Sequence, residues 1–178
     1  KSSLTNLTKL LQFRLKTAHK FGVRLLEAKS GYGLNLAAEL KSLQAIKAAQ
    51  KSTPISIVPT CLAAHAIPIE KKNHRNQYID EIIFQILPKV RRGSLAEYID
   101  VFCDAGYFDL KETKRIAMVG KQLGFSLRLH GEELAHTGIA ELATELGAHS
   151  VDHLLKISDK GIRSMALGGV VGVLLPGT

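Results

Sequence analysis

The chain has 178 residues, 46% of them hydrophobic and 22% charged, with a formal charge of +8. That is enough apolar sequence to bury a core, so a disordered chain is excluded, and residues 1–178 are expected to form one domain or part of a larger one. No apolar run approaches the roughly 20 residues needed to span a bilayer, no charged-then-apolar leader opens the sequence, and a soluble, cytoplasmic protein with no membrane partner is expected.

The opening segment is helix-like. Val23 to Ala28 reads as a strand, followed after Gly31-Tyr32-Gly33 by a helix with Leu36, Leu40 and Leu43 on one face. Ile55 to Ala63 is a second strand, its surroundings marked as non-helical by Pro54 and Pro68. The clearest helix follows: Ile79, Ile82, Ile83, Ile86, Leu87 and Val90 recur at spacings that place them on a buried face. Tyr98 to Cys103 makes the third strand, and Ile116, Val119, Gly120 and Leu123 stripe a helix that stops at Gly124. Phe125 to His130 is the fourth strand, and Leu142, Ala143 and Leu146 mark a short helix ended by Gly147. Ser150 to Leu154 is the fifth, Ile162, Met165 and Ala166 lie on the next helix, and Val170 to Leu175 is the sixth.

Alternating strands and helices predict the α/β class with a parallel sheet. The run Val170 to Leu175 shows no polar alternation and reads as buried on both faces, which favours a sheet covered by helices. A doubly wound open sheet could use six strands, whereas a (β/α)8 barrel needs eight and typically about 250 residues. With no initiator Met and an end at a strand tip, the chain reads as cut from something longer. The basic residues are scattered, Lys41, Lys47, Lys89, Arg91, Arg115 and Lys121 among them, mostly on polar helix sides without interleaved aromatics. No nucleic-acid partner is expected. Cys61 and Cys103 sit inside apolar runs, where a thiol usually packs, in keeping with a reducing compartment.

In a parallel α/β protein the carboxyl ends of the strands open on the functional site. Here the second strand ends in Ala63-Ala64-His65, the fourth in Leu129-His130-Gly131-Glu132-Glu133, the fifth in Asp152-His153 and the first in Lys29-Ser30-Gly31-Tyr32-Gly33. Each has a bland explanation: a lone histidine hydrogen-bonds a loop, first-turn acids suit a helix N-terminus, and the glycines permit a tight turn. Three histidines on three strand ends together suggest a metal or acid–base site. His130 is placed to bind a metal, with Glu133 over the same mouth and His153 one strand away as a proton carrier or electrostatic partner. His19, His74, His136 and His149 lack this placement.

These segments resemble the imidazolonepropionase family of the amidohydrolase superfamily. The resemblance rests on Glu27 to Leu34, Leu62 to Pro68, Asp100 to Cys103, Leu129 to Leu134, Asp152 to Leu154 and Leu174 to Thr178, in the family's order and with similar spacing. It implies a (β/α)8 TIM-type barrel of the amidohydrolase kind, represented here by about six βα units, strands two to seven. It implies metal-dependent hydrolysis of 4-imidazolone-5-propanoate, a small anionic cyclic amide, to N-formimino-L-glutamate in histidine degradation, with one divalent ion, zinc or iron. By motif position it implies His130 as metal ligand, Tyr32, His65 and Glu133 as substrate-binding residues, and Glu133 and His153 as catalytic residues. The family's first-strand His-x-His pair, eighth-strand Asp and upstream substrate-binding Arg are absent from this stretch, so activity of the chain alone is not implied. Alternatives are another cyclic-amide or deaminating amidohydrolase, or a non-catalytic truncated barrel that binds a partner or small anion; a homodimer is compatible with each. A dinucleotide-binding sheet is disfavoured because no G-x-G-x-x-G follows a strand.

Overall fold

The computed structural model describes residues 2–177, so Thr178, the last residue of the matched segments, lies outside the described residues. Helix α1 (Leu4–Lys20) starts at Ser3, whose side chain accepts the Asn6 N–H. Strand β1 (Leu25–Lys29) and helix α2 (Leu36–Gln50) follow, α2 capped by Asn35. After β2 (Ser56–Ala64) a 3-10 turn (Ile69–His74) leads into α3 (Arg75–Glu81), a π-helical segment (Ile82–Ile86) and α4 (Leu87–Arg92). Then come β3 (Tyr98–Cys103), α5 (Leu110–Gln122), β4 (Ser126–Gly131), α6 (Ile139–Leu146), β5 (Ser150–His153), α7 (Asp159–Gly168) and β6 (Val171–Val173).

The isoleucine-rich helix is thus not uniform. Pro88 has no N–H and its ring crowds the carbonyl four residues back; the widened turn ahead of it, where the Leu87 N–H reaches the Ile82 carbonyl, accommodates both.

The six strands are parallel and lie in the order β1-β2-β3-β4-β5-β6. A doubly wound sheet reverses its order at a switch point, and this one does not. It curls instead. In a flat sheet β1 and β5 would stand about 19 Å apart, four spacings of about 4.8 Å, yet the Lys29 Nζ lies 2.6 Å from the Asp152 Oδ2. The chain forms part of a (β/α) barrel, as expected from its sequence.

Curling assigns the strand faces different jobs. Ile99, Val101, Leu127, Leu129 and Val151 are buried in the apolar core that also takes in Leu43, Ile46, Ile79, Ile83, Ile116 and Ala143 of the helices. The alternate positions Glu27, Lys29, Asp100, Arg128 and Asp152 meet one another by ion pairing on the concave side. The expectation of a doubly buried run from Val170 to Leu175 is corrected: β6 covers only three residues, all exposed, because it pairs on one side only, with β5, among the described residues. On α7, Met165 is buried but Ile162 is half exposed. No helix among the described residues is long and apolar enough to cross a membrane.

The turn after β1 is fixed by a buried acid. The Glu39 carboxylate, fully buried on α2, accepts the backbone N–H groups of Gly31 (3.0 Å), Gly33 (2.7 Å) and Leu34 (3.0 Å). Gly31 has φ +121°, and a Cβ there would lie 2.8 Å from the Leu62 carbonyl oxygen. Gly31→Ala is therefore expected to lower the unfolding free energy by roughly 2 kcal/mol, read as a lower urea midpoint at unchanged slope.

Candidate active site

The carboxyl ends of the strands surround a cavity of about 530 Å³. Tyr32, His65, His130, Glu133 and His153 all line it, together with Lys29, Phe102, Tyr107 and Asp152. His130 ends the inward face of β4, opposite Phe102 of β3 in register. The two rings stack at 4.4 Å with only 8° between planes. His65 reaches the same cluster because β2 is irregular: its register against β3 slips between Cys61 and Ala64. Its ring lies 5.9 Å from both Phe102 and His130, and Tyr32 covers it at 4.7 Å while staying 87% exposed at the mouth.

His153 arrives by a different device. It follows the inward-facing Asp152, so strand alternation alone would turn it away from the cavity. Its φ of +78°, followed by +63° at Leu154, breaks the alternation, and the ring lies 6.0 Å from that of His130. Left-handed backbone at two successive non-glycine residues is strained and is found where function requires it. Glu133 belongs to the loop after β4, and its Oε1 is 3.6 Å from the His153 Nδ1. That gap exceeds a hydrogen bond, and this buried nitrogen has no hydrogen-bond partner.

Beneath the rings lies a charged network that the sequence reading did not assign to the site. The Lys29 Nζ donates to the Asp100 Oδ2 at 2.7 Å and to the Asp152 Oδ2 at 2.6 Å, and the other Asp100 oxygen lies 2.9 Å from the His130 Nδ1. A carboxylate only accepts, so Nδ1 carries the hydrogen and Nε2 is the ring nitrogen left for a ligand. One layer down, the Arg128 Nε is 3.3 Å from Glu27, which also accepts the Thr60 hydroxyl.

Burial alone would raise the Asp100 carboxyl, but His130 and Lys29 outweigh it and hold the group well below the usual carboxylate range. Burial likewise works against the Lys29 ammonium, and Asp100 and Asp152 overcome it, lifting Lys29 above the ordinary lysine value. Burial, then repulsion by His130, pulls His65 below the ordinary histidine value, so its ring is neutral at pH 7.

The other histidines lie outside this cluster. His149 packs edge-on against Tyr98 at the amino end of β3, and the half-exposed His136 has its Nδ1 2.8 Å from the Glu132 Oε1. Cys61 and Cys103 are buried and free, their thiols pushed up by burial to about 12 and about 11, which makes them unreactive. Among the described residues no group of three or more His, Cys, Asp or Glu is arranged to hold a metal ion. His130 could supply one ligand, but a catalytic zinc normally has three from protein, so these residues do not make a metal centre by themselves. What they provide is a carboxylate and an imidazole facing one cavity beside a second, neutral imidazole and a mouth tyrosine, groups able to hydrogen-bond a small polar molecule and exchange protons with it.

No family model matches the chain. It is 48% identical over 157 residues to an imidazolonepropionase of Geobacillus kaustophilus, covering 88% of this chain and 37% of that protein. It is 46% identical over 165 residues to an imidazolonepropionase of Clostridium tetani (93% and 39%), and 42% identical over all 178 residues to that of Bacillus cytotoxicus (100% and 42%). The chain thus spans about two fifths of the length of the curated relatives it matches. Among solved structures it is similar to a mandelate racemase/muconate lactonizing protein of Herpetosiphon aurantiacus, with TM-score 0.60, 12% identity, and 98% of this chain and 44% of that one covered. A mutant organophosphorus hydrolase of Deinococcus radiodurans gives TM-score 0.62, 16% identity, and 96% and 56% coverage. At these identities the structures bear on the fold alone, and that fold is a TIM-type barrel.

Two outcomes follow from the network. Lys29→Met removes the cation shared by Asp100 and Asp152 and leaves Asp100 with the His130 N–H alone, and a loss of roughly 3 kcal/mol in denaturant unfolding is expected. Because the folded-state value of His65 is depressed, its contribution to stability is complete above about pH 6.5 and is lost as pH falls through the folded value. Urea midpoints are expected to drop between pH 7 and pH 5, and to drop less in His65→Asn.

Proposed function

We infer that this chain, a relative of the imidazolonepropionases that spans about two fifths of such a protein, carries the substrate-binding and proton-transfer residues of a hydrolase that opens the cyclic amide of 4-imidazolone-5-propanoate. The observation that supports it is the meeting of Tyr32, His65, His130, Glu133 and His153, drawn from four strand ends, on one cavity sized for a small ring.

The chemistry adds one water to the ring carbonyl carbon and breaks its bond to nitrogen. The carbon stays in the product as a carboxylate, and the nitrogen becomes part of the formimino group of N-formimino-L-glutamate, which takes up the protons of the water. Glu133 is the group that takes a proton from the attacking water, since its carboxylate is partly exposed and faces the cavity. His153, whose Nδ1 stands 3.6 Å from the Glu133 Oε1, receives that proton once the two groups close to hydrogen-bond distance or through one bridging water, and passes it toward the departing nitrogen. His65, neutral at pH 7, can donate and accept at once and so suits the ring's nitrogen and oxygen edge. Tyr32 closes over His65 from the mouth. Phe102 supports His130 by stacking and gives a planar substrate an apolar wall.

A divalent ion, zinc or iron, would be held by the His130 Nε2 as its one ligand among the described site residues, and it would supply a bound water with its pKa lowered to about 7. A cytoplasmic setting is also part of the reading, supported by the two buried free thiols.

In the full gene product that carries this chain, Glu133→Gln is expected to reduce turnover of imidazolonepropionate by roughly a hundredfold or more, with KM changed far less than kcat. Loss of substrate absorbance measures it, and an unchanged kcat would remove Glu133 from the reaction.

A further inference from the structure

We propose that Asp104, on the loop after β3, is the positioning residue that holds the Glu133 carboxylate at the cavity; this rests on the reading of Glu133 given above. The Asp104 carboxylate is buried, and it grips the neighbouring loop by consecutive backbone amides. Its Oδ2 accepts the N–H of Glu133 at 2.8 Å and of Leu134 at 3.0 Å, and its Oδ1 accepts the N–H of Ala135 at 3.1 Å. The fourth bond, from the Ala105 N–H at 2.7 Å, fixes the carboxylate to its own loop.

The amides are aimed there by the backbone. Glu132, just before them, has φ +51°, and a left-handed residue leading into a turn makes successive N–H groups converge into a concavity suited to an anion. These amides do not belong to a helix end: α6 begins at Ile139, behind Gly138. The loop is pinned on its far side as well, where the buried Glu132 Oε1 accepts the Gly138 N–H and the Glu132 carbonyl accepts the Lys156 N–H. Between those anchors the direction of the Glu133 side chain is set by the Asp104 grip.

The geometry needs a carboxylate. An asparagine has the same shape but one accepting oxygen, and its NH2 group would face N–H donors. The loop must then move, and a displacement of about 1 Å at a reacting group can lower the rate by about a hundredfold.

The test uses the full gene product with Asp104→Asn, Glu133→Gln and the double variant. Hydrogen exchange is expected to accelerate by about tenfold or more at the amides of Glu133, Leu134 and Ala135, and to stay unchanged in β3 and β4. In kcat/KM for imidazolonepropionate, Asp104→Asn is expected to lose about tenfold to a hundredfold, and to lose almost nothing further in the Glu133→Gln background. Full additivity of the two losses, exchange rising uniformly over the sheet, or global unfolding of Asp104→Asn would each overturn the proposal, because the acid would then serve stability and not Glu133. Asp104→Glu, which keeps the charge but moves both oxygens, gives a second variant in which the same confined exchange is expected. Should Glu133→Gln alone leave turnover intact, the reading of Glu133 fails, and the exchange pattern still decides whether Asp104 anchors the loop.

Discussion

One ammonium group organises this molecule. Lys29 rises from β1 into the space enclosed by the sheet and is shared by Asp100 of β3 and Asp152 of β5, so a single cation ties strands that a flat sheet would hold far apart. Glu27 and Arg128 add a second pair below. Asp100 is fully buried and the others are mostly so, and a charge in that setting is tolerable because its partners are in place. On this face three carboxylates meet two cations, and Asp100 also accepts the His130 Nδ1–H, which fixes the ring above it. Sheet curvature and the setting of the central histidine are thereby parts of one electrostatic arrangement.

The loops above that floor obey a second rule. Backbone at strand ends carries N–H groups with no ladder partner, and here buried acids take them up: Glu39 for the turn that bears Tyr32, and Asp104 and Glu132 for the segment that bears Glu133. A carboxylate with several amide donors is worth more than neutral turn bonds, and it fixes direction as well as position. The apolar core stays between sheet and helices, so the concave side is free to be polar.

Much of this was legible in the sequence because strand and helix periods are written in the apolar residues. All six strands lie within two residues of their expected bounds, and the error is in the burial of β6, whose hydrophobic run says nothing about how many partners it has. The π-helical segment was hidden because Pro88 marks a disturbance but not how the helix absorbs it. His65 and His130 could be placed by position at strand ends. The turning of His153 depends on a backbone angle that an Asp-His-Leu sequence does not advertise. Asp100 and Asp152 left a signal that could have been followed: a charged residue inside a buried strand must face other charges, and Lys29 is the cation they meet. The roles of the site residues, as distinct from their meeting place, come from the resemblance to imidazolonepropionases.

The left-handed pair His153 and Leu154 ties the aim of the imidazole to the packing behind it. Each such residue stores of order 1–3 kcal/mol, and at 154 that cost is offset by burying the leucine side chain in the apolar core. A smaller residue there would forfeit the burial, and the chain could swing back to regular alternation with the imidazole leaving the pocket. The apolar side chain thus works as a counterweight that keeps a strained corner cocked toward the cavity.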